Sequence, residues 1–232
     1  MTDLDNSIQR LSTNFEETAT FYCKIPTQPE QLHDFVVQCH ELLPDTLHKA
    51  SIGRRGEYIA GRLAARAALA ELSILDFNVL KDADGSPMWP DPVQGSISHK
   101  GQLAVAIASK SFRYVGIDLE SHMSHKKAVK LADKITNEKE QEVIRNSILE
   151  FSDGFTRTFS AKEAIYKAVY PYVKRYLPFN VCEVTHIDEQ GLTLALQSSL
   201  TAEIHKKTGH QITSFNIKTT SLEDKVLSFI LN

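Results

Sequence analysis

The sequence predicts an α+β fold of two packed lobes, and three observations carry that expectation. Helix-like and strand-like segments are mixed in both halves of the chain. The most apolar strand candidates sit beside turn signals, as hairpins do. No Pro/Gly linker, internal repeat or low-complexity tract separates the segments. The least structured stretch near the middle is Ser109 to Arg113, so the lobes are placed at residues 1–110 and 111–232.

Taken in order, Glu57 to Leu72 is rich in Ala and Leu, with apolar residues at helical spacing, and reads as a helix. Asp82 to Pro92 is a turn-forming run. The following Gly95 to Ser109 reads as a buried hairpin broken at Lys100-Gly101. Tyr114 to Glu120 reads as a strand, and the charged, intermittently apolar Lys126 to Ile148 as helix. A second strong helix is expected from Ser160 to Tyr170, where Pro171 would stop it. Strands are then expected at Val181 to Ile187, Leu192 to Gln197, Ile212 to Lys218 and Lys225 to Leu231.

Composition removes several classes of function. At 232 residues, with 42% hydrophobic and 24% charged residues, the chain can bury a sizeable core without disulfides. The formal charge of -3 is not that of a dedicated nucleic-acid binder, so any basic site must be local. Cys23, Cys39 and Cys182 are odd in number and widely spaced, which suggests neither a disulfide framework nor a zinc site and points to a reducing cytoplasm. Met1 to Arg10 lacks the apolar segment of an export signal, and no apolar run approaches the roughly 20 residues that span a bilayer.

Four segments carry chemistry. In Val115 to Glu120, alternation puts Gly116, Asp118 and Glu120 on one strand face. Two carboxylates about 7 Å apart along a strand can share a hard cation such as Mg²⁺, and Gly116 leaves room for a close approach to the backbone. The same pattern also describes a half-exposed strand with two solvated acids. In the second helix Glu163 and Lys167 are four apart on one face, with Lys162 beside Tyr166 on the next; a third oxygen ligand with a phosphate contact and an ordinary surface ion pair both fit. Ser96, Ser98 and His99 can donate to phosphate oxygens. Adjacent strand residues point to opposite faces, so Ser98 and His99 do not form a hydrolase dyad, and no G-x-S-x-G elbow occurs. Arg54, Arg55, Arg62 and Arg66 cluster on or just before the first helix, as a phosphate-binding face or as a solvated basic face.

Together RRGEYIAGRLAARAAL, GSPMWPDPVQGSISHKG, VGIDLE and FSAKEAIYKA, in this order and spacing, resemble the 4′-phosphopantetheinyl transferase superfamily, most closely its enterobactin-synthetase component D branch. The resemblance spans roughly Arg54 to Ala168. It implies two similar packed lobes related by a pseudo-twofold, with a metal site at their interface. It also implies a cytoplasmic, monomeric enzyme of the holo-[acyl-carrier-protein] synthase type. Such an enzyme transfers the phosphopantetheine arm of coenzyme A to a serine of an acyl or peptidyl carrier protein and releases adenosine 3′,5′-bisphosphate. The carrier would serve siderophore, polyketide or fatty-acid synthesis.

Residue by residue, the resemblance implies Asp118, Glu120 and Glu163 as ligands of Mg²⁺, with Mn²⁺ as a substitute. Lys167 would meet the pyrophosphate, with Lys162 as the second lysine of that helix. Arg54, Arg62, Lys81, Gly85, Ser98 and His99 would contact the rest of coenzyme A. Glu163 is the first candidate for the base that deprotonates the carrier serine, and Lys167 the second. The chain departs from the family at Gly85-Ser86-Pro87, where many members have Gly-Lys-Pro, and at Phe159, where a tryptophan is common. Ser121 to Arg145, with Lys126, Lys127, Lys130, Lys134 and Lys139 among Val129, Leu131, Ile135 and Val143, is the expected carrier-docking surface. The alternatives are a non-catalytic module that binds coenzyme A or a carrier, and a Mg²⁺-dependent pyrophosphohydrolase.

Overall fold

Small side chains set how closely the N-terminal elements pack. The computed structural model describes residues 7–12 and 15–232, so the reading of Met1 to Asn6 lies outside the described residues. The chain divides into two units, Met1–Val115 and Gly116–Asn232. The first contains β1 (Ile8–Leu11), β2 (Thr18–Lys24), α1 (Pro29–Gln38), α2 (Ile52–Glu71), β3 (Leu80–Lys81), β4 (Pro87–Met88), β5 (Gln94–Lys100) and β6 (Leu103–Ser109). Strands β1-β2-β6-β5 form one antiparallel sheet.

Ser51 starts α2 by accepting a hydrogen bond from the Arg54 backbone N–H at 3.3 Å. Ala60, Ala64 and Ala68 lie on one face of the helix and share a core with Ala104, Ala106 and Ala108 of β6. The expected hairpin is β5–β6, with Gly101 in the left-handed region at φ +59°. Strands β1 and β2 and helix α1 are absent from the sequence reading; β1 is too short, and β2 too mixed, to show a clear period.

The second unit contains β7 (Val115–Ser121, beginning at the boundary), α3 (His125–Ile135), α4 (Glu138–Arg145), α5 (Phe151–Val173), β8 (Cys182–Ile187), β9 (Gly191–Leu196), α6 (Ser198–Thr208), β10 (Ser214–Leu222) and β11 (Lys225–Leu231). Its sheet runs β7-β11-β10-β9-β8. Three expectations need correction. The helix expected over Lys126 to Ile148 is two helices, because Asn137 and Glu140 form a capping box that starts α4 afresh. Helix α5 begins at Phe151 rather than Ser160 and continues past Pro171 to Val173. Pro171 lies in the last turn, where one missing N–H matters little, and the left-handed Lys174 at φ 49° ends the helix. Helix α6 is unanticipated; its polar sequence conceals a core stripe of only Leu200 and Ile204.

One close approach and one buried ion pair position α5. A Cβ on Gly116 would stand 2.1 Å from the Ala164 carbonyl oxygen and 3.0 Å from the Ala168 Cβ, so only glycine lets β7 meet α5 at this distance. Farther along the same strand come Asp118 and Glu120, and farther along the same helix Lys167. On another side of α5, Lys162 Nζ lies 2.7 Å from Glu140 Oε1 and donates to the carbonyls of Ile135, Phe179 and Cys182 at 2.9, 3.0 and 3.1 Å. Both side chains are buried, and Glu140 also accepts from the backbone N–H groups of Asn137 and Val184. Every charge is thus matched by hydrogen bonds, the condition under which a buried pair is tolerable. Phe159 packs against Phe179, with ring centroids 5.7 Å apart.

The three cysteines are free and buried, and burial pushes the Cys23 and Cys182 thiols up to about 12. Among the described residues no helix is long and apolar enough to cross a membrane.

The Gly116→Ala variant is expected to lose about 1–3 kcal/mol of stability through overpacking, measured by urea unfolding of the second unit's signal. Wild-type stability would remove the close approach as the element that positions α5.

Candidate functional site

The candidate residues gather in two clusters, one in each unit. In the first, residues from α2, the β3–β4 hairpin and β5 line a cleft of about 150 Å³: Arg54, Glu57, Tyr58, Arg62, Lys81, Gly85 and His99 among them. Helical spacing brings Arg54, Glu57, Tyr58 and Arg62 to one side of α2. Arg62 lies with its guanidinium 4.3 Å from the Tyr58 ring centroid, and its buried Nε has no hydrogen-bond partner. Burial lowers the Arg62 pKa, and Arg54 nearby adds to the effect, while Tyr58 opposes it. An arginine so placed gains most from an anion.

The hairpin presents Lys81. Gly85, at φ +92°, begins the return, and a Cβ there would stand 3.3 Å from Lys81 Cε, so the lysine stem lies across the turn. Ser86 donates its hydroxyl and its backbone N–H to Asp84 Oδ1 at 2.6 and 2.9 Å. It stiffens the turn and leaves Lys81 as the cation of this edge. On β5, His99 lies on the face toward α2 with Ile97, whose Cγ2 would be 2.9 Å from a Cβ on Gly61.

Two expected cofactor contacts separate from this cleft. Ser98 alternates to the opposite face of β5 and is buried there, so it does not share a site with the His99 side chain. Lys162 belongs to the buried pair with Glu140, and four oxygens already surround its ammonium, so it is a structural residue rather than a coenzyme A contact.

The second cluster is acidic. Asp118 and Glu120 on β7 are buried, and Glu163 on α5 is half-buried. Burial raises the Glu163 pKa first, Asp118 and Glu120 raise it further, and Lys167 lowers it. Lys167 Nζ donates to Asp118 Oδ1 at 2.8 Å and to the Ile117 carbonyl at 3.1 Å. Three carboxylates near one ammonium leave an excess of negative charge in a partly dry place, which suits a hard cation with oxygen ligands. The chemistry of these donors, carboxylate oxygens, is the kind Mg²⁺ takes. Among the described residues no three His, Cys, Asp or Glu side chains stand together as a group that could hold a metal ion, so waters or substrate oxygens would have to complete any shell.

Beside Glu163 a second cleft, of about 190 Å³, is lined by Tyr166, Tyr176, Leu177, Pro178 and Phe179. Its walls join one side of α5 to the irregular segment that follows the helix, a combination that no local pattern of residues announces. Asn137-x-x-Glu140 is a capping signal visible in the sequence, but the ion pair of Glu140 with Lys162 depends on tertiary packing and has no local signature.

Comparisons with known proteins cover both units. A family model described as the 4′-phosphopantetheinyl transferase N-terminal domain matches residues 43–109, and one described as the 4′-phosphopantetheinyl transferase superfamily matches residues 114–225. Enterobactin synthase component D of Salmonella typhimurium is 36% identical over 177 residues, covering 76% of this chain and 72% of that protein. The 4′-phosphopantetheinyl transferase Npt of Nocardia iowensis is 34% identical over 157 residues, 67% of this chain and 69% of its own. The 4′-phosphopantetheinyl transferase PptT of Mycobacterium tuberculosis is 34% identical over 143 residues, 60% of this chain and 62% of its own. Matched in both units, and at this identity over most of its length, the chain belongs to the 4′-phosphopantetheinyl transferase superfamily.

Proposed function

We propose that the chain transfers the 4′-phosphopantetheine arm of coenzyme A to a serine of an acyl or peptidyl carrier domain, with Mg²⁺, and releases adenosine 3′,5′-bisphosphate. The observation that carries this reading is the pairing, in one chain, of a cation-lined cleft with a buried acidic cluster that holds a single lysine. A polyanionic substrate needs the first, and a hard cation on its pyrophosphate needs the second.

Arg54, Arg62, Lys81 and His99 bind phosphate oxygens of coenzyme A in the first cleft. Asp118, Glu120 and Glu163 would hold the Mg²⁺, which supplies charge neutralisation on the pyrophosphate. Lys167, oriented by Asp118 and the Ile117 carbonyl, is the ammonium of this cluster and meets a phosphate oxygen of the pyrophosphate. The apolar cleft beside Glu163 accepts the uncharged arm and excludes water from it. The serine Oγ bonds to the phosphorus that carries the arm, the P–O bond to the adenosine-side phosphate breaks, and the bisphosphate leaves as an anion. Glu163, which lies on α5 beside the apolar cleft, takes the serine proton, directly or through a water. Lys126, Lys127 and Lys130 are exposed around Val129 on α3 and form the docking surface for an acidic carrier; Ile135, expected there, belongs to the core instead.

Incubating the protein with coenzyme A, with and without an apo carrier, and weighing the carrier tests the reaction. A gain equal to the arm identifies the transferase, coenzyme A cleavage without a carrier identifies a pyrophosphohydrolase, and binding without turnover identifies a non-catalytic module. In the same assay Asp118→Asn should lower transfer by about 100-fold or more, and excess chelator should abolish it. Full activity in chelator would sink the metal assignment. Arg62→Ala should weaken coenzyme A binding by about 1.5–3 kcal/mol. Repeating the titration with dephospho-coenzyme A locates the contact: a vanished cost assigns Arg62 to the 3′-phosphate, an undiminished one to the pyrophosphate.

A further inference from the structure

We infer that Glu57 is a positioning residue of the cation cleft, its carboxylate holding Arg54 and His99 in the arrangement that receives phosphate. The inference rests on the reading of that cleft as a coenzyme A phosphate site. Glu57 follows Arg54 by one turn of α2, and its Oε2 accepts from Arg54 Nη1 at 3.1 Å. The same oxygen lies 3.6 Å from His99 Nδ1. The same Arg54 Nη1, in turn, is 2.7 Å from His99 Nε2. Arginine carries only donors, so Nε2 is the acceptor in this contact. The proton of the neutral imidazole is then on Nδ1, facing the carboxylate. Three side chains from α2 and β5 close into a ring around one carboxylate oxygen.

An acid here is unexpected on charge alone. The cleft also carries Arg62 and Lys81, and a carboxylate among them repels any phosphate that enters. What Glu57 offers in return is order. Arg54 and His99 are 46% and 35% exposed, so a contact to each other alone, without the carboxylate that both face, leaves them more rotamer freedom to lose on binding. Glu57, at 29%, draws both toward one side of the cleft before the ligand arrives. An incoming phosphate then takes over the Arg54 hydrogens, and Nε2, released from Arg54, takes up a proton and donates it to a phosphate oxygen while the carboxylate holds the Nδ1–H side of the ring.

The two effects of Glu57 have opposite signs, which makes the test direct. Calorimetric titration of the full chain with coenzyme A should show Glu57→Ala weakening binding by about 5- to 10-fold, although the change makes the cleft more positive. Glu57→Gln, whose side-chain oxygen still accepts from Arg54, should restore affinity to within about 2-fold of wild type. In a His99→Ala background the loss from Glu57→Ala should shrink to the part that acts through Arg54, since one of the two groups it holds is then absent. Tighter or unchanged binding by Glu57→Ala overturns the inference, as does a Gln variant no better than Ala or an equal loss in both backgrounds. If the wild-type chain itself fails to bind coenzyme A, the phosphate assignment of the cleft falls first and the role of Glu57 with it. Thermal melting of each variant separates these outcomes from loss of fold.

Discussion

The candidate chemistry of the second unit depends on a strand lying against a helix at a distance that admits no side chain. Gly116 lets β7 press on the Ala164 carbonyl. That contact sets the height of α5 over β7, and with it the separation between the strand's two carboxylates and the helix's Glu163 and Lys167. The Ala168 Cβ at 3.0 Å closes the other side of the same gap, so the helix cannot slide without collision. Charge then does the rest: Lys167 bridges to Asp118 across the seam, and Glu163 is drawn into a place where its own charge is disfavoured.

The first unit reaches a comparable result by different means. Alanines on α2 and β6 bring helix and sheet together, and the polar residues at one side of the helix are left facing a hairpin and the end of a strand. Three cations, a histidine and a carboxylate share that cleft. Arg62 has Tyr58 as a neighbour but keeps a buried Nε without a hydrogen-bond partner, whereas Arg54 and His99 already hold one another. A cleft with one cation in want of an anion and two others pre-arranged suits a ligand with several phosphates.

Much of this was legible in the residues. Period two in Val115 to Glu120 puts Gly116, Asp118 and Glu120 on one face, the face on which Gly116 meets Ala164 and Asp118 meets Lys167, although both faces of the strand are buried. The Ala-rich helix and the Gly101 hairpin also read directly, since propensity, spacing and turn residues agree there. Errors arose where local signals compete with packing. Pro171 looked like a stop but sits in a final turn held by Val169 and Val173 in the core, and the break at Thr136-Asn137 was hidden inside a continuous run of charged residues. Lys162 shows a limit of motif reading: its neighbour Glu163 faces the acidic cluster, while one residue of helical rotation, about 100°, carries Lys162 to the far side and into a set of carbonyls.

That set of carbonyls has a consequence for motion. The Lys162 ammonium ties the middle of α5 to the end of α3, to the segment before β8 and to β8 itself, and Glu140 extends the tie to the start of α4. Detaching any of these segments removes a hydrogen bond from a buried charge, and detaching α4 leaves the Lys162 ammonium without its counter-ion, which couples their opening to solvent. Amide hydrogens in the middle of α5 should therefore exchange with deuterium as one block with those of β8 and the first turn of α4, on the slow timescale of cooperative opening rather than that of helix fraying.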